Sequence, residues 1–218
     1  MTHTQTRKLT TSAMMLALAT AIAFICGLIP FLNFPFGGGF TIASMLPLVI
    51  ISYMYGVKWG LLSGFAYSIL QMFLGHSTIS ALFLPSSDSY MGIGKAVLIC
   101  LIDYILAYTV LGLGGVFRNK LPKVPAIVLG VVLALGLRYL VHIVSGYFFF
   151  GMWAEWFFGE EGFALGNWIL TKFSGWLLSL LYSIVYNGLY MIPEIVITAV
   201  CASGISFIPY IKKYDLKA

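Results

Sequence analysis

The sequence predicts an all-α membrane protein, a bundle of six transmembrane helices with both termini cytoplasmic. Three observations predict it. Hydrophobic residues make up 61% of the 218 residues and charged residues only 9%, where a soluble domain carries about 25% charged residues. The mean hydropathy is correspondingly high, at +0.98. The apolar residues gather into about six segments long enough, or nearly so, for the ~30 Å hydrocarbon layer. The Lys and Arg residues are shared unequally between alternate loops. With so little chain outside the spans, residues 1–218 are expected to form a single integral membrane domain.

The first span, Leu9–Leu32, starts behind Arg7-Lys8. Its apolar run continues to Pro30 without a small-residue cleavage site, so it reads as a retained helix and not a secretory signal. The second and third, Phe40–Tyr55 and Trp59–Leu74, are short and joined by a tight turn at Gly56-Val57-Lys58. The fourth is Gly94–Phe117 and the fifth Val124–Phe150. The sixth, Gly175–Ile208, is too long for one crossing, so its end is expected to run into the interface, where Pro209 and Lys212-Lys213 mark the exit.

This order puts Arg7, Lys8, Lys58, Arg118, Lys120, Lys123, Lys212, Lys213 and Lys217 on one side of the membrane. Lys95 and Lys172 lie on the other, and Arg138 lies within it. The richer side is cytoplasmic by the positive-inside rule. The net charge of +5 is therefore a topology signal and not a nucleic-acid footprint. The outer loops carry Asp88, Glu155, Glu160 and Glu161. Cys26, Cys100 and Cys201 lie in apolar spans without metal-ligand spacing and read as small buried hydrophobes, so no metal is expected.

Two outer loops stand out. Phe34–Phe40 is aromatic and glycine-rich, either an interfacial turn or a functional loop. Gly151–Ser174 holds Trp153, Trp156, Phe157, Phe158 and Trp168. It reads either as an aromatic belt at the headgroups or as a lid.

Polar groups in hydrocarbon are costly and mark substrate or ion paths. Four occur here, Asp103, His142, Tyr182 and Asn187, on three different spans. With a 1.5 Å rise per residue they lie ~14, ~12, ~10 and ~18 Å below the outer ends of their helices. That common level points to one pocket in the outer half of the bundle. Asp103 supplies a negative charge, while His142 and Asn187 both donate and accept. Tyr67, Tyr104, Tyr147 and Phe150 are candidate aromatic faces. A carboxylate among aromatic faces suits a planar cation. Deeper, Arg138 and Glu194 are expected to form a buried ion pair. Ala13, Ala17 and Ala21 repeat every four residues on the first span, with Ala19 and Ala23 on a neighbouring face. Small residues at this spacing let another helix approach, either inside the bundle or from a partner membrane protein.

Other chemistries find no support. Gly92-Ile93-Gly94-Lys95-Ala96 lacks the upstream glycine spacing and the hydroxyl residue of a phosphate loop. There is no zinc or nucleophile-elbow motif. Asp103 and His142 could in principle transfer a proton, but nothing supplies a nucleophile or cofactor, so an intramembrane enzyme is disfavoured. A self-sufficient transporter is disfavoured too, because no internal repeat of broken helices is evident.

The residues around these positions resemble the thiamine-specific substrate-binding subunit (S component) of energy-coupling-factor (ECF) vitamin transporters, over most of the chain. Gly38-Gly39-Phe40-Thr41-Ile42-Ala43-Ser44-Met45-Leu46-Pro47 is similar to the first-loop motif of S components. More specific are Leu101-Ile102-Asp103-Tyr104, Arg138-Tyr139-Leu140-Val141-His142 with Ser145-Gly146, and Tyr182-Ser183-Ile184-Val185-Tyr186-Asn187-Gly188. The resemblance implies that Asp103, His142, Tyr182 and Asn187 contact thiamine, with Tyr104 and Gly146 in the same motifs. Tyr67 and Phe150 fall where some members have tryptophans flanking the vitamin, and Phe36 and Phe40 are the first-loop aromatics nearest the site. It further implies a bacterial plasma-membrane protein without catalysis or cofactor. Such a subunit docks through the alanine face of its first span to a shared coupling subunit, and two ATPase subunits that use ATP drive the transport. An S component for another vitamin, or for a hydroxymethylpyrimidine precursor of thiamine, is the alternative.

Overall fold

The computed structural model of the chain describes residues 3–34, 38–160, 165–208 and 211. Among the described residues there are eight α-helical elements, one separate 3₁₀ turn at Pro30–Leu32 and no strand. The eight are α1 (His3–Gly27), α2 (Leu46–Tyr55), α3 (Val57–Leu74), α4 (His76–Phe83), α5 (Ile93–Gly115), α6 (Lys123–Gly159), α7 (Gly166–Lys172) and α8 (Gly175–Ile205). By length and apolarity α1, α5, α6 and α8 are each able to cross a membrane. The six apolar segments of the sequence fall on α1, α2, α3, α5, α6 and α8, four of which are long enough to cross; α1 ends at Gly27 and not at Leu32, and two larger differences follow.

The first change concerns α2, which starts at Leu46 and not at Phe40. The residues before it cannot join a helix, because Ile42 and Ala43 take positive φ angles of 43° and 63°. The second concerns the outer connection after the fifth span. It is largely helical: α6 runs on through π-helical and 3₁₀ turns to Gly159, and α7 follows. Residues 161–164 of this connection, and the basic Lys212, Lys213 and Lys217, lie outside the described residues.

At about 15 Å, α2 is short, and it is buried on every side from Leu46 to Met54. A helix apolar all round belongs inside a bundle, and α1, α3, α5 and α6 surround it. Gly56, with φ at 93°, joins α2 to α3 in a single residue, a conformation that suits glycine alone. Where α3 crosses α5 the backbones nearly touch, and a β-carbon on Gly112 would collide with the backbone of Gly60 and Leu61. This close approach of small residues is the packing that replaces the hydrophobic effect in lipid. Ser52 of α2 closes the same contact, donating to the Gly112 carbonyl at 2.5 Å and accepting from the Gly115 N–H at 2.9 Å. Near the start of α1, the Lys8 ammonium lies 4.0 Å from the Trp59 ring centre, and the indole N–H donates to Ser12 Oγ at 2.9 Å.

The two rows of alanine on α1 part company. Ala13, Ala17 and Ala21 are exposed and, with Leu16, Thr20, Phe24, Leu70 and Leu74, line an open apolar groove. Ala19 and Ala23 are buried within the bundle. The expectation that they join a docking face is corrected: they pack internally.

Candidate ligand-binding site

A cavity of about 660 Å³ opens between α3, α4, α5, α6, α8 and the first loop. Asp103 and Tyr104 reach it from a π-helical stretch of α5, Cys100–Leu106. A second π-helical stretch, Gly146–Phe150 of α6, presents Gly146 and Phe150. Such wide turns break the ordinary i→i−4 ladder and recur at functional sites.

Both Asp103 oxygens are engaged. Oδ1 lies 2.9 Å from His142 Nδ1, and Oδ2 accepts from Ser145 Oγ at 2.6 Å. A carboxylate only accepts, so Nδ1 carries the imidazole proton. In the neutral ring Nε2 then keeps its lone pair; it is buried and without a partner, in a side chain that lines the cavity. Native interiors seldom leave such an atom unpaired, and a ligand donor would satisfy it.

Asn187 holds α8 against α6. Its amide nitrogen donates to the carbonyls of Ser183 at 2.8 Å and His142 at 3.3 Å, and its oxygen accepts from Tyr190 Oη at 2.5 Å. Gly146 makes this approach possible, since a β-carbon there would strike Ser183 Oγ and crowd the Asn187 amide. Tyr182, Tyr186 and Tyr190 stand at intervals of four residues and form an aromatic face along α8. Phe34 of the first loop packs on Tyr186 and Tyr190, with ring centres 5.9 and 5.6 Å away. Phe157 covers Tyr182 and Tyr186, and Phe150 stacks on Trp153 at 5.6 Å. Two aromatics of the 151–174 connection, Trp153 and Phe157, therefore belong to the walls around the cavity or to the layer behind them, while Trp156 and Trp168 face outward.

Seven of the expected site residues, Asp103, Tyr104, His142, Gly146, Phe150, Tyr182 and Asn187, line this one cavity. Tyr67 does not. It is fully buried, donates to the Ala19 carbonyl at 3.3 Å and packs edge-on against Tyr108, so Tyr108 and not Tyr67 forms the wall. Tyr147 pairs with Phe148 and is absent from the lining. In the first loop Phe34 and Phe40 line the cavity, while Phe36 lies outside the described residues.

The expected Arg138–Glu194 ion pair is not formed. The Arg138 guanidinium lies 4.4 Å from the centre of the Tyr108 ring, donates to that hydroxyl at 3.1 Å and contacts the Met45 sulfur. The Glu194 carboxylate instead accepts from the backbone N–H groups of Thr41 and Ala43. The first loop lies between the two charges, and sequence spacing alone could not reveal it. Tyr186 and Tyr190, missed at first, share the four-residue spacing that starts at Tyr182, which is a readable signal. Phe34 and Trp153 lie in the two outer loops whose aromatic content already marked them, whereas Tyr108 had no signal beyond its residue type.

Comparison with known proteins assigns the chain to a family. The family model described as thiamine transporter protein (Thia_YuaJ) matches residues 10–156, a span that contains Asp103, His142, Gly146 and Phe150. Among curated proteins, the thiamine transporter ThiT of Bacillus subtilis (strain 168) is 29% identical over 198 residues, covering 86% of this chain and 84% of that protein. Both are described as transporters and neither as an enzyme, and the chain belongs to the thiamine transporter protein family.

Proposed function

We propose that the chain is the thiamine-binding S component of an ECF-type importer. On this reading residues 1–218 form one integral domain of six membrane-crossing segments in a bacterial plasma membrane, with both termini cytoplasmic. It captures external thiamine and relies on a coupling subunit and two ATPase subunits for energy, holding no cofactor itself. The observation that carries the reading is the Asp103–His142 pair in an aromatic cavity, with His142 Nε2 unpartnered.

Thiamine is a permanent cation joined to a flat aminopyrimidine. Asp103 offers the cation a charge partner in a low-dielectric site. The 4′-amino group donates to His142 Nε2, and the rings lie against the faces of Phe150, Trp153, Tyr182 and Tyr186. Tyr104, Gly146 and Asn187 complete the contact surface. Ala13, Ala17 and Ala21, exposed on α1, supply the docking face for the coupling subunit.

Calorimetry of the purified chain against thiamine, hydroxymethylpyrimidine and unrelated vitamins tests the specificity. Thiamine should bind tightest, and tighter binding of the neutral pyrimidine would assign the site to a precursor. Liposome uptake tests the division of labour. The chain alone should bind thiamine without accumulating it, and should accumulate it only with coupling and ATPase subunits and internal ATP. Uphill uptake by the chain alone under an ion gradient would refute the partnership.

A further inference from the structure

Glu194 is fully buried on α8, one turn beyond Tyr190. Its carboxylate accepts from the Thr41 N–H at 2.7 Å, the Ala43 N–H at 2.9 Å and Thr198 Oγ1 at 3.2 Å. No Lys or Arg lies within ion-pair distance of it among the described residues. The turn that provides the two N–H groups contains Ile42 and Ala43, both at positive φ. That conformation is uncommon for any residue with a side chain and rare for a β-branched one. Here it aims nearby N–H groups at one anion, as in the backbone concavities that bind anions elsewhere.

Just before this turn, Gly38, Gly39, Phe40 and Thr41 line the ligand cavity. The same strip is folded back on itself, with Phe34 N–H donating to the Gly38 carbonyl at 3.1 Å and Phe40 N–H to the Leu32 carbonyl at 2.9 Å. Its Phe34 ring rests on Tyr186 and Tyr190. One end of the strip is thus fixed by aromatic packing and the other by Glu194. If the turn left Glu194, it would strand a buried carboxylate whose charge is otherwise met by a single hydroxyl, a costly state.

We propose that Glu194 is a positioning residue for ligand binding. Its carboxylate holds the left-handed turn at 41–43 and so keeps the 38–41 wall against the bound ligand. The proposal rests on the thiamine-binding reading above. Glu194 itself lies outside the cavity lining, so its removal should act on how long the ligand stays rather than on recognition.

The test is stopped-flow thiamine binding to the purified full chain, followed by intrinsic tryptophan fluorescence. Glu194→Gln keeps the size but offers one acceptor oxygen where the turn needs two. It should raise the dissociation rate at least about tenfold, the loss of one charge-assisted hydrogen bond, and leave the association rate within about threefold. Adding Ala43→Gly should recover part of that loss, because glycine takes positive φ without steric cost. A general packing defect would not be repaired in this way. Ala43→Gly alone, which does not depend on a buried substitution folding, should slow dissociation about two- to fivefold. An unchanged dissociation rate in Glu194→Gln, a loss that Ala43→Gly does not repair, or faster dissociation in Ala43→Gly alone would overturn the proposal. Failure of the wild-type chain to bind thiamine would instead refute the thiamine reading itself.

Discussion

Replacing Asp103 by Asn keeps the shape of the side chain and removes its charge. In the free site the carboxylate holds His142 Nδ1 at 2.9 Å and Ser145 Oγ at 2.6 Å. The amide keeps one acceptor oxygen and turns an NH₂ group towards one of these partners. Ser145 can rotate to accept it, so the framework survives. What the amide cannot replace is the attraction to a cation. For unit charges about 5 Å apart at an effective dielectric constant of about 20, Coulomb's law gives about 3 kcal/mol. Asn retains a dipole that recovers part of this, so the expected loss is about 2–3 kcal/mol, or about 30- to 150-fold in Kd. Calorimetry on wild type and Asp103→Asn should use two ligands, thiamine and a neutral aminopyrimidine without the thiazolium. The loss should be confined to the cation, with the neutral ligand changed by less than about threefold. Equal losses for both would mean that Asp103 acts by orienting His142 and not by its charge, and the electrostatic argument would be refuted.

Further substitutions separate the site from its surroundings. Gly146→Ala pushes a methyl group into Ser183 and Asn187. It should destabilise the chain by about 1–3 kcal/mol, seen as a lower thermal midpoint, and weaken thiamine binding at least about tenfold by separating α6 from α8. Tyr67→Phe removes a hydroxyl bonded to the Ala19 carbonyl, outside the cavity lining. Thiamine affinity should stay within about twofold, since the hydroxyl that is lost does not itself line the cavity; a larger change would return Tyr67 to the site. Trp at Ala17 or Ala21 fills the exposed α1 groove. Uptake by the reconstituted transporter should then stop while binding by the purified chain persists, and loss of both would show that these alanines pack internally.

The helical class, the long apolar helices and the convergence of the polar residues were legible because burial in lipid writes strong signals. Long apolar runs and costly intramembrane charges have few other readings. Asp103 and His142 converge as their depths along α5 and α6 require. What depended on the path of the backbone between helices was hidden. Glu194 faces the first loop and not Arg138 because Ile42 and Ala43 take left-handed conformations, which no propensity of those two residues foretells. Tyr67 and Tyr108 are both tyrosines near the site, and only their packing decides which one meets the cavity. The regular spacing on α1 could not distinguish Ala17, which is exposed, from Ala19, which is buried, because both rows have the same periodicity.

The pairing of α5 with α6 bears on how the chain enters the bilayer. Asp103 meets His142 and Ser145, and Tyr108 meets Arg138, so both sets of contacts lie between two helices joined only by residues 116–122. On the membrane-crossing reading, a helical hairpin that inserts together carries Asp103 and Arg138 into hydrocarbon with His142, Ser145 and Tyr108 already beside them. When α8 arrives it offers Ser183 and Asn187 to the carbonyls of Ile143 and His142, and brings Glu194 to the Thr41 and Ala43 N–H groups of the first loop, which was made earlier still. The order of synthesis and the order of polar satisfaction therefore coincide, and insertion of the most polar part of the bundle does not have to wait for the end of the chain.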